Sequence, residues 1–247
     1  MNGYSRGFLG MPPVVKNIIF LNILMLLASY AAGSVYNIDL NRILGVYFPK
    51  SELFRPYQIV THMFMHGGFT HLFFNMFALY MFGQVLEQVW GPRRFLIYYF
   101  VTGLGAMLIH MLVIAFQYYK IMAVISPEQI QEVLDNGNSI IMQGKRYGDE
   151  LMGGLQSVLY IPTVGASGAV FGVLLAFGVL FPNTQLMLLI PPIPIKAKYF
   201  VLIYGGIELW LAVTQPGSSI AHAAHLGGML FGYILIRIWR KTSNTLY

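Results

Sequence analysis

Gly165-Ala166-Ser167-Gly168-Ala169-Val170-Phe171-Gly172-Val173-Leu174-Leu175-Ala176-Phe177-Gly178-Val179-Leu180-Phe181, closed by Pro182-Asn183, is apolar throughout yet too short to cross a bilayer alone. From Ser167 to Phe181 it covers about 22 Å as a helix, against a hydrocarbon core of roughly 30 Å. With its C-terminal end level with the cytoplasmic face, Ser167 lies several ångströms below the outer surface. Irregular backbone at that depth, here Ile161 to Ala166, is tolerated only when buried in protein or facing a watery cavity. The stretch therefore predicts a wet pocket inside the membrane with a serine at its floor.

The rest of the chain supplies the membrane setting. Of its 247 residues, 57% are hydrophobic and 10% charged, and mean hydropathy is +0.64. A soluble domain carries about 25% charged residues, so this chain cannot coat a water-facing surface. Disorder is excluded by the apolar content, and a disulfide scaffold by the absence of cysteine. The net charge of +6 is scattered between apolar blocks and forms no basic run, so no nucleic-acid partner is expected and the surroundings are the lipid bilayer.

Six apolar segments read as spans: about Asn17 to Ser34, Thr70 to Trp90, Phe95 to Tyr118, Ser167 to Phe181, Lys198 to Thr214 and Ile220 to Trp239. The expected class is an all-α membrane protein, a six-helix bundle with a short fourth helix. With both termini cytoplasmic, the inside segments hold nine of the 15 basic residues, including Arg93, Arg94, Lys196 and Arg240, and no acid. The outside segments hold the other six bases and seven acids, so the positive-inside rule selects this orientation. Residues 1–16 form a cytoplasmic segment, 17–239 the membrane domain and 240–247 a cytoplasmic tail. The first block begins after Lys16 without a convincing cleavage site, so it reads as a retained helix. With no transit peptide recognised, a bacterial inner membrane is expected.

Two outside loops are long. The first, about Val35 to Phe69, carries Tyr47, Phe48, Leu53, Phe54, Tyr57 and Phe64, which suit an interface and predict a loop dipping into the outer leaflet. The second is an insertion at about 119–160. It contains Ser126-Pro127-Glu128-Gln129, a capping box with proline in the first turn, flanked by Ile125 and Ile130 as a hydrophobic staple. A short helix follows, with Gly137 as its expected stop.

The sixth segment reads Ala221-His222-Ala223-Ala224-His225-Leu226-Gly227-Gly228-Met229-Leu230-Phe231-Gly232. An ionisable side chain in a span faces the bundle interior by default. His225, Gly228 and Gly232 share one helix face, and Gly168 with Gly172 make a matching face of small residues, so the two helices can approach closely. That contact brings Ser167 beside His225, and an imidazole is the base a serine needs to become a nucleophile. His71 and Asn75, at i and i+4 near the outer end of the second segment, are placed with the Ser167 N–H to donate to an oxyanion. Two acids lie within spans: Glu87 near the cytoplasmic end, far from the pocket, and Glu208 mid-to-outer in the fifth, from where it could reach the pocket. The favoured reading is a Ser/His dyad without a carboxylate, His225 being oriented by stacking on Phe171.

At this point the sequence resembles the rhomboid family of intramembrane serine proteases. The resemblance rests on Gly165-Ala166-Ser167-Gly168, on Ala224-His225 followed by Gly228 and Gly232, on His71 with Asn75, and on His62 and His66 upstream. It covers about Asn17 to Trp239. It implies Ser167 as nucleophile, His225 as general base and His71 with Asn75 at the oxyanion site. It also implies transmembrane protein substrates, and a substrate gate and cap in the fifth span with the loop Gln215 to Ile220. Two departures stand out: Phe54-Arg55 occupies the place of the family's Trp-Arg pair, and Phe171 replaces the tyrosine often found under the histidine.

Competing readings are blander or differ in class. Gly-x-Ser-Gly alone is a packing motif, and His222 is expected to order water or the cap. A metal site would need His62, His66, His71, His222 and His225 to converge, yet no HExxH or cysteine accompanies them, so neither metal nor cofactor is expected. A pseudoprotease that captures helices without cutting is disfavoured by the intact Ser167 and His225.

Overall fold

The computed structural model describes residues 10–187, 192–215 and 221–242. Helix α1 (Pro13–Tyr36) opens with proline in its first turn, where a missing N–H costs nothing. Its N–H groups at Val14 and Val15 donate to the Glu87 carboxylate at 2.9 and 2.8 Å. The buried acid of a second span thereby caps the first, and its charge sits at the positive end of the helix dipole.

The first long connection is a folded unit. It carries α2 (Leu40–Leu44), capped by the Asp39 side chain, then α3 (Gln58–Thr61) and a short 3-10 turn, His62–Phe64. Buried Gln58 ties it together, donating to the carbonyls of Ile43 and Leu53 at 3.1 Å each and accepting from Arg55 N–H at 2.9 Å. Tyr47 and Phe48 are buried in protein, while Tyr57 is exposed. The aromatic content expected to face the outer leaflet is therefore partly core, because the connection folds back and Phe48 packs on Tyr118.

The second span is α4 (Phe69–Ala78) and α5 (Gln84–Trp90), joined through a π turn at Leu79–Gly83. Next come α6 (Pro92–Met122), and the insertion helices α7 (Pro127–Met142) and α8 (Glu150–Tyr160). The capping box forms as expected, with both Ser126 and Gln129 side chains bonded. Gly137 is not a stop: α7 runs through it to Met142, and the residue is buried because the Tyr160 ring lies where a side chain would be. Val133, Leu155, Leu159 and Tyr160 make a small separate core for this hairpin.

Then follow α9 (Ser167–Leu180), the antiparallel strands β1 (Gln185–Met187) and β2 (Pro194–Lys196), α10 (Ala197–Thr214) and α11 (His222–Thr242). The strand pair departs from the expected all-α class. Pro13–Tyr36, Phe69–Trp90, Pro92–Met122 and Ala197–Thr214 are long and apolar enough to cross a membrane. Helix α9 has 14 residues, about 21 Å. Eleven of the 14 are buried, which explains a helix apolar on every face. The small-residue contact is tightest at Gly168 and Gly228, where a Cβ on Gly228 would collide with the Gly168 carbonyl. Gly172 and Gly232 do not face each other as expected. Both accommodate α6, Gly172 against Thr102 and Gly232 against Tyr98, and Tyr98 Oη donates to the Gly172 carbonyl at 2.8 Å.

Candidate active site

Ser167 is the first residue of α9 and His225 lies one turn into α11. The contact of Gly168 with Gly228 sets the separation of these helices, and Ser167 Oγ–H donates to His225 Nε2 at 2.9 Å. The two predicted residues are brought together. Phe171, one turn after Ser167, stacks on the His225 ring with centroids 4.1 Å apart and planes 7° from parallel, as expected from sequence.

The expectation of a site without a carboxylate is overturned. Glu208 Oε2 accepts from His225 Nδ1 at 2.9 Å and from His222 Nδ1 at 2.7 Å. All three residues are buried. His222, expected to order water or the cap, is bonded to this carboxylate instead. The signal was present in the sequence, since an acid in a span faces the interior by default; what it lacked was the rotation of α10 relative to α11.

The loop before α9 is held in place from three sides. Val46 and Thr163 exchange backbone hydrogen bonds at 2.9 and 2.8 Å, and Gly165 N–H donates to the His62 carbonyl at 2.9 Å. His110 Nε2 meets Thr163 Oγ1 at 3.0 Å. The irregular backbone before α9 is thus satisfied by protein. Gly165 has φ +132°, and a Cβ there would lie 2.9 Å from His71 Cε1; glycine is needed for both the conformation and the approach of the ring. A small recess at Ser167 is lined by Thr163, Gly165, His110 and Ala221. A larger cavity lies elsewhere, between the end of α1 and Gly67-Gly68, and does not include Ser167.

His71 is therefore at the site. Gly67 N–H approaches its Nδ1 at 3.4 Å, and its Nε2 lies against Gly165. Asn75 is placed differently, its Nδ2 donating to the His71 backbone carbonyl at 2.8 Å. His62 bonds the Gln58 carbonyl through Nδ1 at 3.0 Å, and His66 packs edge-on against His71 at 5.0 Å. Burial pulls His62 down to about 4, and burial with the neighbouring His71 pulls His66 down to about 3. Both are neutral at pH 7.

The five histidines do not converge. Among the described residues, Glu208, His222 and His225 offer ligand atoms within 4.8 Å of one another. A metal on His225 Nδ1 would leave the proton on Nε2, which then could not accept from Ser167. Occupation by a metal and serine chemistry exclude each other here.

A family model for the rhomboid domain matches residues 53–242. The chain belongs to the rhomboid family. It is 27% identical to Rhomboid-like protein 11, chloroplastic, of Arabidopsis thaliana, over 93% of this chain and 68% of that protein. It is 28% identical to Rhomboid protein 1, mitochondrial, of Saccharomyces cerevisiae, over 72% of this chain and 40% of that one. With Rhomboid protease AarA of Providencia stuartii it shares 27% over 70% of this chain and 52% of the relative. The chain thus spans about half the length of several relatives it matches. A shorter match, over 19% of this chain, is to Inactive RHOMBOID-like protein 8 of Arabidopsis thaliana. Chloroplastic, mitochondrial and bacterial relatives together do not single out the bacterial inner membrane expected from sequence; a multi-pass membrane protein is what they support.

Proposed function

We propose that this chain is an intramembrane serine endopeptidase that cleaves membrane proteins in or near a transmembrane segment. The observation that carries the reading is the 2.9 Å hydrogen bond from Ser167 Oγ to His225 Nε2 at the start of a short, buried helix. Ser167 Oγ attacks the scissile carbonyl while His225 Nε2 takes its proton. The acyl-enzyme forms as the same proton passes to the leaving amine, and water then repeats the sequence to release the acid. The Ser167 N–H and His71 Nε2–H donate to the oxyanion, with Asn75 holding the first turn of α4 from beneath.

Six spans with both termini cytoplasmic are proposed, over a core of 17–239 with the insertion 119–160 on the outer side. The charge distribution supports this orientation. The proposed gate and cap fall on α10 and on Gln215 to Ile220; within that loop, residues 216–220 lie outside those described. A substrate helix must unwind to expose its bond, so small or helix-breaking residues are expected near its outer end. The inactive relative names the competing reading, capture without cleavage; the paired Ser167 and His225 support the enzyme.

The test is cleavage of a fusion protein bearing one such helix. Ser167→Ala and His225→Ala should each lower kcat by at least about a thousandfold, and the double variant should be no worse than either. Substantial turnover by either single variant would remove the reading.

A further inference from the structure

A carboxylate buried within a span is unfavourable unless specific partners compensate it. Glu87 has such a purpose, capping two N–H groups of α1. Glu208 has none of that kind among the described residues: its bonds there are to two imidazoles, His222 and His225, both on one oxygen. We propose that Glu208 is the third member of the catalytic unit, a positioning residue that fixes the proton of His225 on Nδ1 and balances the imidazolium formed in the reaction, while His222 holds the carboxylate in place. This rests on the Ser167–His225 protease reading and goes beyond it.

An ionised carboxylate only accepts, so both Nδ1 atoms that meet it carry hydrogens. A neutral imidazole with its proton on Nδ1 has its lone pair on Nε2. That atom is 2.9 Å from Ser167 Oγ. Phe171 cannot select this state, because a stacked ring fixes the plane of the imidazole but leaves both its in-plane orientation and its tautomer open. Glu208 decides both.

The proton account closes. As the bond from Ser167 Oγ to the scissile carbon forms, the carbonyl electron pair moves to the oxygen and the Oγ proton moves to His225 Nε2. The imidazolium then has an N–H on each side, one on Glu208 and one toward the leaving nitrogen. When the carbon–nitrogen bond breaks, that second proton goes to the amine. Glu208 stays ionised throughout. His222 Nδ1, at 2.7 Å from the same oxygen, removes rotamer freedom that a lone glutamate would retain.

The experiment compares Glu208→Gln, Glu208→Asp and His222→Ala with Ser167→Ala, all in the full chain, on the fusion substrate and on the labelling rate of a fluorophosphonate probe. Glu208→Gln should lower kcat by about 10²- to 10⁴-fold with KM within about threefold, because an amide can favour the wrong tautomer. The labelling rate should fall in parallel, and Glu208→Asp, which keeps the charge, should retain more activity than Glu208→Gln. His222→Ala should cost about tenfold, the loss of one charge-assisted hydrogen bond. Wild-type kcat in Glu208→Gln beside an inactive Ser167→Ala would overturn the proposal and leave the protease reading intact, as would an effect confined to KM or thermal midpoint. Activity in Ser167→Ala would instead remove the protease reading itself. Should Glu208→Gln fail to fold, nitrogen NMR of ¹⁵N-histidine in the wild-type protein decides. The His225 signals, assigned by their loss in His225→Ala, should show hydrogen on Nδ1 and a lone pair on Nε2; the opposite tautomer overturns the proposal.

Discussion

The two residues assigned together to the oxyanion differ in what their side chains are free to do. Asn75 spends an amide hydrogen on the His71 carbonyl, whereas the His71 ring lies against Gly165 beside Ser167. Shared spacing on one helix face put both near the site, but spacing does not say which way an amide turns. His71→Ala should therefore lower kcat about 10²-fold, near the loss of one side-chain donor elsewhere, and Asn75→Ala about tenfold or less. KM should change little in either, since the charge they meet exists only in the transition state. Steady-state cleavage of the fusion substrate measures both, and a larger loss for Asn75→Ala would reverse the assignment. Ser167 and His225 were legible because each carries a local signal, a serine at the start of a helix too short to span and a histidine in an apolar run. Glu208 was not assigned, because its role depends on how α10 is rotated against α11, which no spacing within α10 encodes.

At the scale of elements, local chemistry was readable and distant packing was not. The capping box that starts α7 is complete within four residues and forms as written. Gly137 looks the same in sequence whether it ends a helix or admits a ring, and here it admits Tyr160. Tyr47 and Phe48 read as interfacial because nothing nearby shows the connection folding back over α6. Helix α10 exposes Leu202, Ile203, Trp210 and Val213 and buries Ala197, Val201 and Glu208, as a helix at the rim of a bundle in lipid does. The charge pattern assigns the α7–α8 hairpin to the outside and the α5–α6 turn with Arg93 and Arg94 to the inside. The chain has no cysteine, so single substitutions report cleanly. A cysteine at exposed Asn136 should react with an impermeant thiol reagent in intact cells, and one at exposed Pro92 only after permeabilisation. The reverse pattern would invert the topology.

Across the described residues the molecule is apolar outside as well as inside: large hydrophobic side chains cover its surface and fill its core, with a few polar groups buried among them. Within the apolar helices, buried Asn22, Thr102 and Glu208 each make a hydrogen bond, as a setting short of water favours. Under the proposed topology the short α9 starts below the outer surface, and the elements around Ser167 bring His225, Glu208 and His71 to it for the proposed chemistry. Ser167, activated by His225, is the proposed nucleophile. The most direct test is to treat the purified protein with a fluorophosphonate probe and map the adduct by peptide mass spectrometry. Labelling at Ser167 is expected, lost in Ser167→Ala and nearly lost in His225→Ala with the fold intact. No adduct on Ser167 in folded wild-type protein, or equal labelling of Ser167 without His225, would contradict this assignment.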